Sequence, residues 1–202
     1  MNKAVFLDKD GTLVYNVPYN VNPGKVKFYE DVIEGLKLLL ENGFKLIVVT
    51  NQPGVALGYF GEEDVQNLGN AMTDFLQREG VKIDGFYYCP HYEEGHVAGY
   101  KVKCNCRKPS PGLIKKAAAD LHIDLLNSYM IGDILHDVEA GNRAGCKSIL
   151  IKNGNETEWF FNKQRVPEYI VKNFKEACDK IIQDTEVKAK GGKYERRFEE
   201  SY

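Results

Sequence analysis

Short apolar runs alternate with amphipathic stretches along almost the whole chain, and no other feature narrows the fold as much. "KAVFLD" (3–8), "FKLIVVT" (44–50), "GFYYC" (85–89), "SYMIGD" (128–133), "KSILIK" (147–152) and "EYIV" (168–171) read as strands. Between them, "EDVIEGLKLLLENG" (30–43) places Val32, Leu36, Leu39 and Leu40 on one helical face and stops at Asn42-Gly43. "EEDVQNLGNAMTDFLQREG" (62–80) is amphipathic through Val65, Leu68, Met72, Phe75 and Leu76. "SPGLIKKAAADL" (110–121) predicts a helix with Ser110 as N-cap and Pro111 in its first turn. "HDVEAGNRAG" (136–145) and "NFKEACDKIIQ" (173–183) are the remaining helical stretches. Nearly continuous apolar strands separated by helices mean a mainly parallel sheet covered on both faces. The expected fold is therefore α/β, Rossmann-like and doubly wound. Such sheets bind ligands beyond the carboxyl ends of their strands, which singles out Asp8, Thr50, Cys89 and Asp133.

A length of 202 residues suits one such domain, expected over 1–183. The stretch 184–202 is polar, contains Gly191-Gly192 and shows no burying periodicity, so it reads as a solvated C-terminal extension. Lysine and arginine number 27 against 29 aspartates and glutamates, which argues against a nucleic-acid or membrane-surface partner. "MNKAVFLDKDG" lacks the apolar core of a signal peptide and no run is long enough to span a bilayer, so a cytoplasmic location is expected. The sequence leaves the oligomeric state open, with a monomer as the simpler expectation.

Thiols stay reduced in the cytoplasm, so clustered cysteines read first as metal ligands. Of five cysteines, three fall in one loop with a histidine, as Cys89-Pro-His91 and Cys104-Asn-Cys106. These soft and borderline donors suit tetrahedral Zn²⁺, and with all four positions filled by protein the site is structural. The zinc-binding loop, about 89–106, is long and polar and has little core of its own. His96, His122 and His136 have no evident partner in the sequence, and Cys146 and Cys178 read as small core residues.

Asp8 and Asp10 stand two residues apart just past a strand and project to the same side. A hydroxyl, Thr50, ends the next strand, Lys108 precedes a helix, and Asp133 ends a further strand with Asp137 four residues on. Each is unremarkable singly; together, in this order and at these places, they describe a site. The set Asp8-Lys9-Asp10-Gly11-Thr12, Thr50, Lys108 and Gly132-Asp133 resembles the four motifs of the haloacid-dehalogenase-like (HAD-like) phosphatases. "TNQPGVALGYF", "YYCPH", "CNCRKPSPG" and "YMIGD" are similar to the D-glycero-D-manno-heptose 1,7-bisphosphate phosphatase group, which includes the phosphatase domain of histidinol-phosphate phosphatases. The likeness covers about residues 1–183.

That resemblance implies a Mg²⁺-dependent phosphomonoester hydrolase with an aspartyl-phosphate intermediate. Asp8 would be the nucleophile and Asp10 the general acid/base; Thr50 and Lys108 would stabilise the transferring phosphoryl. Mg²⁺ would be held by Asp8 and Asp133 and by the backbone carbonyl of Asp10. It further implies a small phosphorylated sugar as substrate: a heptose 1,7-bisphosphate cut at the 7-position in nucleotide-activated heptose biosynthesis. Asn16, Val17, Pro18 and Tyr19, then Asn51, Gln52 and Pro53, would line the pocket. Arg107, next to Lys108, would take a second phosphate, and the zinc loop would aim both cations. Between Asp8 and Thr50 there is no room for a large cap domain. Heptose-bisphosphate enzymes usually carry Lys or Arg after the fourth-motif aspartate, where this chain has Ile134. Histidinol phosphate and a nucleic-acid 3′-phosphate are the alternative substrates, and a zinc-bearing nucleic-acid module is the non-enzyme alternative.

Overall fold

Residue alternation in the first strand sets the layers. In β1 (Ala4–Leu7), Val5 and Leu7 point to one side and Ala4 and Phe6 to the other, all fully buried. The computed structural model describes the backbone of residues 1–199 and the side chains of residues 1–187. Its sheet also contains β2 (Lys45–Asn51), β3 (Gly85–Cys89), β4 (Tyr129–Gly132), β5 (Lys147–Ile151) and β6 (Tyr169–Val171). The strand order is β3-β2-β1-β4-β5-β6, and every adjacent pair is parallel. Each strand predicted from the sequence is present.

Helices α1 (Val32–Glu41), α3 (Glu62–Arg78) and α6 (Phe174–Glu199) supply side chains to the Val5/Leu7 face. On α1 the buried positions Val32, Gly35, Leu36 and Leu39 follow the spacing of a single helical stripe. The Ala4/Phe6 face is covered by α4 (Gly112–Leu121) and α5 (Leu135–Ala144). Strand order reverses direction between β1 and β4, so the crevice beyond their carboxyl ends is the switch point where such sheets place ligands. Asp8 and Asp133 stand at its two sides. Among the described residues nothing larger than a 3₁₀ turn, Pro23–Lys25, and α1 intervenes between Asp8 and Thr50. There is thus no large cap domain there. No described helix is long and apolar enough to cross a membrane.

Two local expectations are corrected. Ser110 does not cap α4: the helix begins at Gly112, with no side-chain cap, and Gly112 N–H donates to the Asn105 carbonyl at 2.9 Å. The neighbouring loop thus does the capping that a serine hydroxyl would have done. The last helix does not end near Gln183 but runs on to Glu199. Its passage over the sheet is fixed at Asp184, whose carboxylate accepts from Tyr169 Oη (2.6 Å), Tyr129 Oη (3.1 Å) and Lys147 Nζ (2.6 Å). The expected division between 183 and 184 therefore falls inside one helix, which Asp184 anchors to the sheet. A smaller addition is α2 (Gly54–Leu57), a single turn after β2.

Where α1 crosses α6, a β-carbon on Gly35 would lie 2.8 Å from the Phe174 ring and 2.9 Å from Cys178 Sγ. Gly→Ala in an open helix gains up to about 1 kcal/mol, but overpacking a core costs about 1–3 kcal/mol. Gly35→Ala is expected to lower the urea midpoint without changing the slope. A raised midpoint would show that the two helices separate freely.

Candidate functional site

Three buried carboxylates converge at the switch point. Asp8 follows β1 directly and its backbone N–H donates to the Ile131 carbonyl at 3.0 Å, prolonging the parallel pairing with β4. Asp133 follows β4, and Asp137 lies on the first turn of α5. One carboxylate oxygen from each of Asp8, Asp133 and Asp137 falls within 4.8 Å of the others, and the three residues are 7%, 2% and 0% exposed. Gly11, with φ +84°, makes room for them: a β-carbon there would stand 2.1 Å from Asp133 Oδ2.

One ammonium lies among these acids. Lys108, itself 3% exposed, donates to Asp8 Oδ1 and to the Val49 carbonyl at 2.9 Å, and lies 2.7 Å from Asp137 Oδ1. Asp137 Oδ1 receives no aligned hydrogen bond despite that closeness. Burial alone would lower the lysine's pKa, but the charges of Asp137 and Asp8 outweigh it and hold the ammonium above its ordinary value. Asp133 is pushed up to about 8 by burial and by the charges of Asp8 and Asp137. Burial likewise raises Asp137 to about 6, against the pull of Lys108. Three carboxylates facing one ammonium leave negative charge uncompensated in a desolvated place. A hard divalent cation with oxygen ligands fits such a set.

The second aspartate of the first motif looks elsewhere. Asp10 Oδ1 accepts from Lys9 Nζ at 2.6 Å, and Oδ2 from Gln52 Nε2 at 3.4 Å. Burial raises its pKa, outweighing the lowering by the Lys9 charge. Gln52 Nε2 also donates to Thr50 Oγ1 at 3.0 Å. With its oxygen accepting, the threonine hydroxyl keeps its proton for another partner. Asn51 clamps the peptide of Lys108 from both sides, Nδ2 to the carbonyl and Oδ1 from the N–H, each at 3.0 Å. Its side chain thereby positions the lysine. Asn16, Val17, Pro18 and Tyr19 are exposed, with Tyr19 packed edge-on to Tyr59 at 4.8 Å, while Pro53 is half-buried beside α2.

The cysteine loop closes on itself as a compact cluster. Cys89, Cys104 and Cys106 have their sulfurs 3.1, 3.3 and 3.6 Å apart, and His91 Nδ1 is 3.2 Å from Cys106 Sγ and 3.7 Å from Cys89 Sγ. These separations are too long for disulfides. They approach the edges of about 3.8 Å that a tetrahedron with Zn–S bonds near 2.3 Å would have. Hydrogen bonding with Cys89 pulls the Cys106 thiol down to about 5, while Cys89 is raised by the same contact. The backbone N–H of Arg107 donates to Cys104 Sγ at 3.4 Å. Outside the cluster, His96 and Val97 donate their N–H groups to the Ala56 carbonyl at 2.7 and 2.9 Å, seating the loop on α2.

Arg107 and Lys108 do not point to the same place. Arg107 Nη1 donates to the His91 carbonyl at 3.4 Å, and its guanidinium lies 4.8 Å from the Tyr92 ring centre. It lines a cavity of about 410 Å³ with Lys103, Lys108, Ser110 and His136.

Several side-chain contacts at the site have no role assigned from the sequence, that of Thr12 of the first motif among them. Asn155 Nδ2 donates to Asp133 Oδ2 at 2.8 Å, Thr12 Oγ1 to Asp133 Oδ1 at 3.0 Å, and Asn153 Nδ2 to the Gly11 carbonyl at 2.6 Å. "KNGN" (152–155) directly follows β5, so the strand-end rule would have found the two asparagines. Lys9 and His136 carried no such signal.

Known proteins match this geometry. Residues 105–177 match the family model described as HAD-hydrolase-like. The chain is 46% identical over 154 residues to the D-glycero-beta-D-manno-heptose-1,7-bisphosphate 7-phosphatase of Haemophilus ducreyi, covering 75% of this chain and 84% of that one. It is 38% identical over 184 residues to the enzyme of the same name from Escherichia coli K12, covering 86% and 96%. The crystal structure of D,D-heptose 1,7-bisphosphate phosphatase from B. bronchiseptica, complexed with magnesium and phosphate, superposes with a TM-score of 0.74 at 25% identity, over 90% of this chain and 99% of that one. With its carboxylates at the strand ends and this degree of likeness, the chain is a phosphatase and belongs to the HAD-like family that contains those enzymes.

Proposed function

We propose that this phosphatase removes the 7-phosphate from D-glycero-D-manno-heptose 1,7-bisphosphate through an aspartyl phosphate on Asp8. The observation that carries the chemistry is the contact of Asp8 with the buried Lys108 ammonium, beside a carboxyl, Asp10, that burial biases toward its protonated form. The names of the Haemophilus ducreyi and Escherichia coli relatives support the substrate.

In the first step an Asp8 carboxylate oxygen bonds to phosphorus and the phosphorus–oxygen bond to the sugar breaks. Asp10 passes its proton to the departing sugar oxygen. Lys108 and the Thr50 hydroxyl, its oxygen held by Gln52, meet the charge on the phosphoryl oxygens. In the second step Asp10, now ionised, takes a proton from water, which attacks phosphorus; phosphate leaves and Asp8 is restored. Asp8 and Asp133, with the Asp10 carbonyl, would hold Mg²⁺, and Asp137 would hold Lys108. When bound, that ion neutralises the phosphate dianion so that a carboxylate can approach it. Cys89, His91, Cys104 and Cys106 would hold a structural Zn²⁺, stiffening the loop that ends at Arg107 and Lys108.

Asp8→Asn is expected to abolish turnover, since an amide cannot form the acyl phosphate. Asp10→Asn should lose about 10²–10⁴-fold, the usual worth of general acid–base catalysis. Near-normal steady-state rates in Asp8→Asn would refute the mechanism.

Stability should report the acidic cluster. Because folding raises the pKa of Asp133 and Asp137, the metal-free folded chain keeps protons that the unfolded chain releases. Their stabilising contribution is present below about pH 4 and declines as pH rises through about 6 and about 8. Added Mg²⁺ should accordingly raise the Tm more at about pH 8 than at about pH 5.5. An equal shift at both pH values would place the ion away from these acids.

Metal analysis of protein purified without added metal should find about one zinc per chain. Cys104→Ser should lose that zinc and most activity while its far-UV circular dichroism stays native. A mutant that loses zinc but keeps full kcat would remove the loop from the site's construction.

A further inference from the structure

The zinc loop carries a second free cation. Lys103 immediately precedes Cys104, so its backbone is held beside one of the four clustered ligands. Its side chain is exposed and lines the cavity of about 410 Å³ that Arg107 and the buried Lys108 also line. The three cations differ in how they are matched. Lys108 is committed to the carboxylates of Asp8 and Asp137. Among the described residues the Arg107 guanidinium is paired with no carboxylate; it meets the His91 carbonyl and the Tyr92 ring. Among the described residues no carboxylate pairs with Lys103. Two positive charges without acidic partners thus line one small cavity, and Lys108, which also lines it, joins that cavity to the buried acids. Glu93 and Glu94 also line the cavity, with Glu94 Oε2 accepting from Tyr92 Oη at 3.0 Å. They limit the positive patch to the reach of one small anion and disfavour a continuous polyanion such as a nucleic-acid strand.

We propose that Lys103 is a specificity-determining residue that binds the second, non-transferring phosphate of the substrate together with Arg107. The inference rests on the reading of the substrate as a sugar bisphosphate. Arg107 offers a planar fork and Lys103 a mobile point charge, so the pair can hold a dianion from two sides without a fixed sugar orientation. The contact is remote from the reacting phosphorus and is equally strong in ground and transition states. It therefore affects KM and leaves kcat alone.

Initial-rate kinetics of the full, metal-loaded chain test this with Lys103→Ala and Lys103→Arg, on heptose 1,7-bisphosphate and on a sugar 7-phosphate lacking the second phosphate. Lys103→Ala should raise KM for the bisphosphate about tenfold, the low end for an exposed charged hydrogen bond, with kcat changed less than about twofold. kcat/KM for the monophosphate should be unchanged, and Lys103→Arg should restore most of the loss. Inhibition by the heptose 1-phosphate product should weaken to a similar degree, while inhibition by inorganic phosphate should not. Zinc content is measured alongside, and equal zinc in mutant and wild type is required for these comparisons to support the proposal. Equal losses on bisphosphate and monophosphate, or a KM unmoved in Lys103→Ala, overturn the role of Lys103. Loss of zinc in both Lys103 variants also overturns it, since the residue would then serve the loop. If the wild-type chain shows no preference for the bisphosphate, the substrate reading fails, and the subsite with it.

Discussion

The buried ammonium of Lys108 joins four parts of the molecule that are distant in sequence. It meets Asp8 at the end of β1, the Val49 carbonyl in β2, Asp137 on α5, and its own backbone is gripped by Asn51. A lysine taken out of water is costly unless every neighbour favours its charged form. Here two carboxylates do so, and they in turn are tolerable in the interior only because the lysine is present. The sheet holds the acids at fixed register, and the segment that follows the cysteine loop delivers the cation.

That mutual dependence explains why the loop is built as it is. Its path is secured at three kinds of place: the ligand cluster, the backbone bonds to Ala56 on α2, and the Glu62 carboxylate, which accepts from Tyr88 Oη at 2.6 Å and Tyr100 Oη at 2.8 Å. Its far end is continuous with the start of α4, where the Asn105 carbonyl takes the first helical N–H. A displacement anywhere along this path would reach Lys108 through two residues of backbone. Rigid support of this kind keeps a reacting constellation aligned without a covering domain.

Much of this was legible in the sequence, for physical reasons that differ by element. The strands could be read because both their faces are buried, which leaves an uninterrupted apolar signature in β2 and β5. The clustering of Cys89, His91, Cys104 and Cys106 could be read because cysteine and histidine are scarce and their spacing is local. Asp8 and Asp133 could be read because strand ends face the switch point. Lys9 could not: a lysine beside a turn is normally solvated, and only the packed structure shows it 2% exposed against Asp10. Asn51 looked like a pocket residue, and its role as a clamp on Lys108 depends on a contact 57 positions away. The length of α6 was hidden because helix propagation needs only adequate propensity and a docked first half, not a continuous apolar stripe.

The compactness of the cysteine loop in sequence has a consequence for how the chain is assembled. Its ligands all lie between residues 89 and 106, whereas the acidic cluster needs Asp8, Asp133 and Asp137 together. Closing a short segment costs little chain entropy, and closing one of more than a hundred residues costs more and is slower. During synthesis the four clustered side chains can come together while β4 and everything after it are still being made. The phosphate-processing half of the protein is then completed last, when Asp133 and Asp137 arrive to join Asp8 and Lys108.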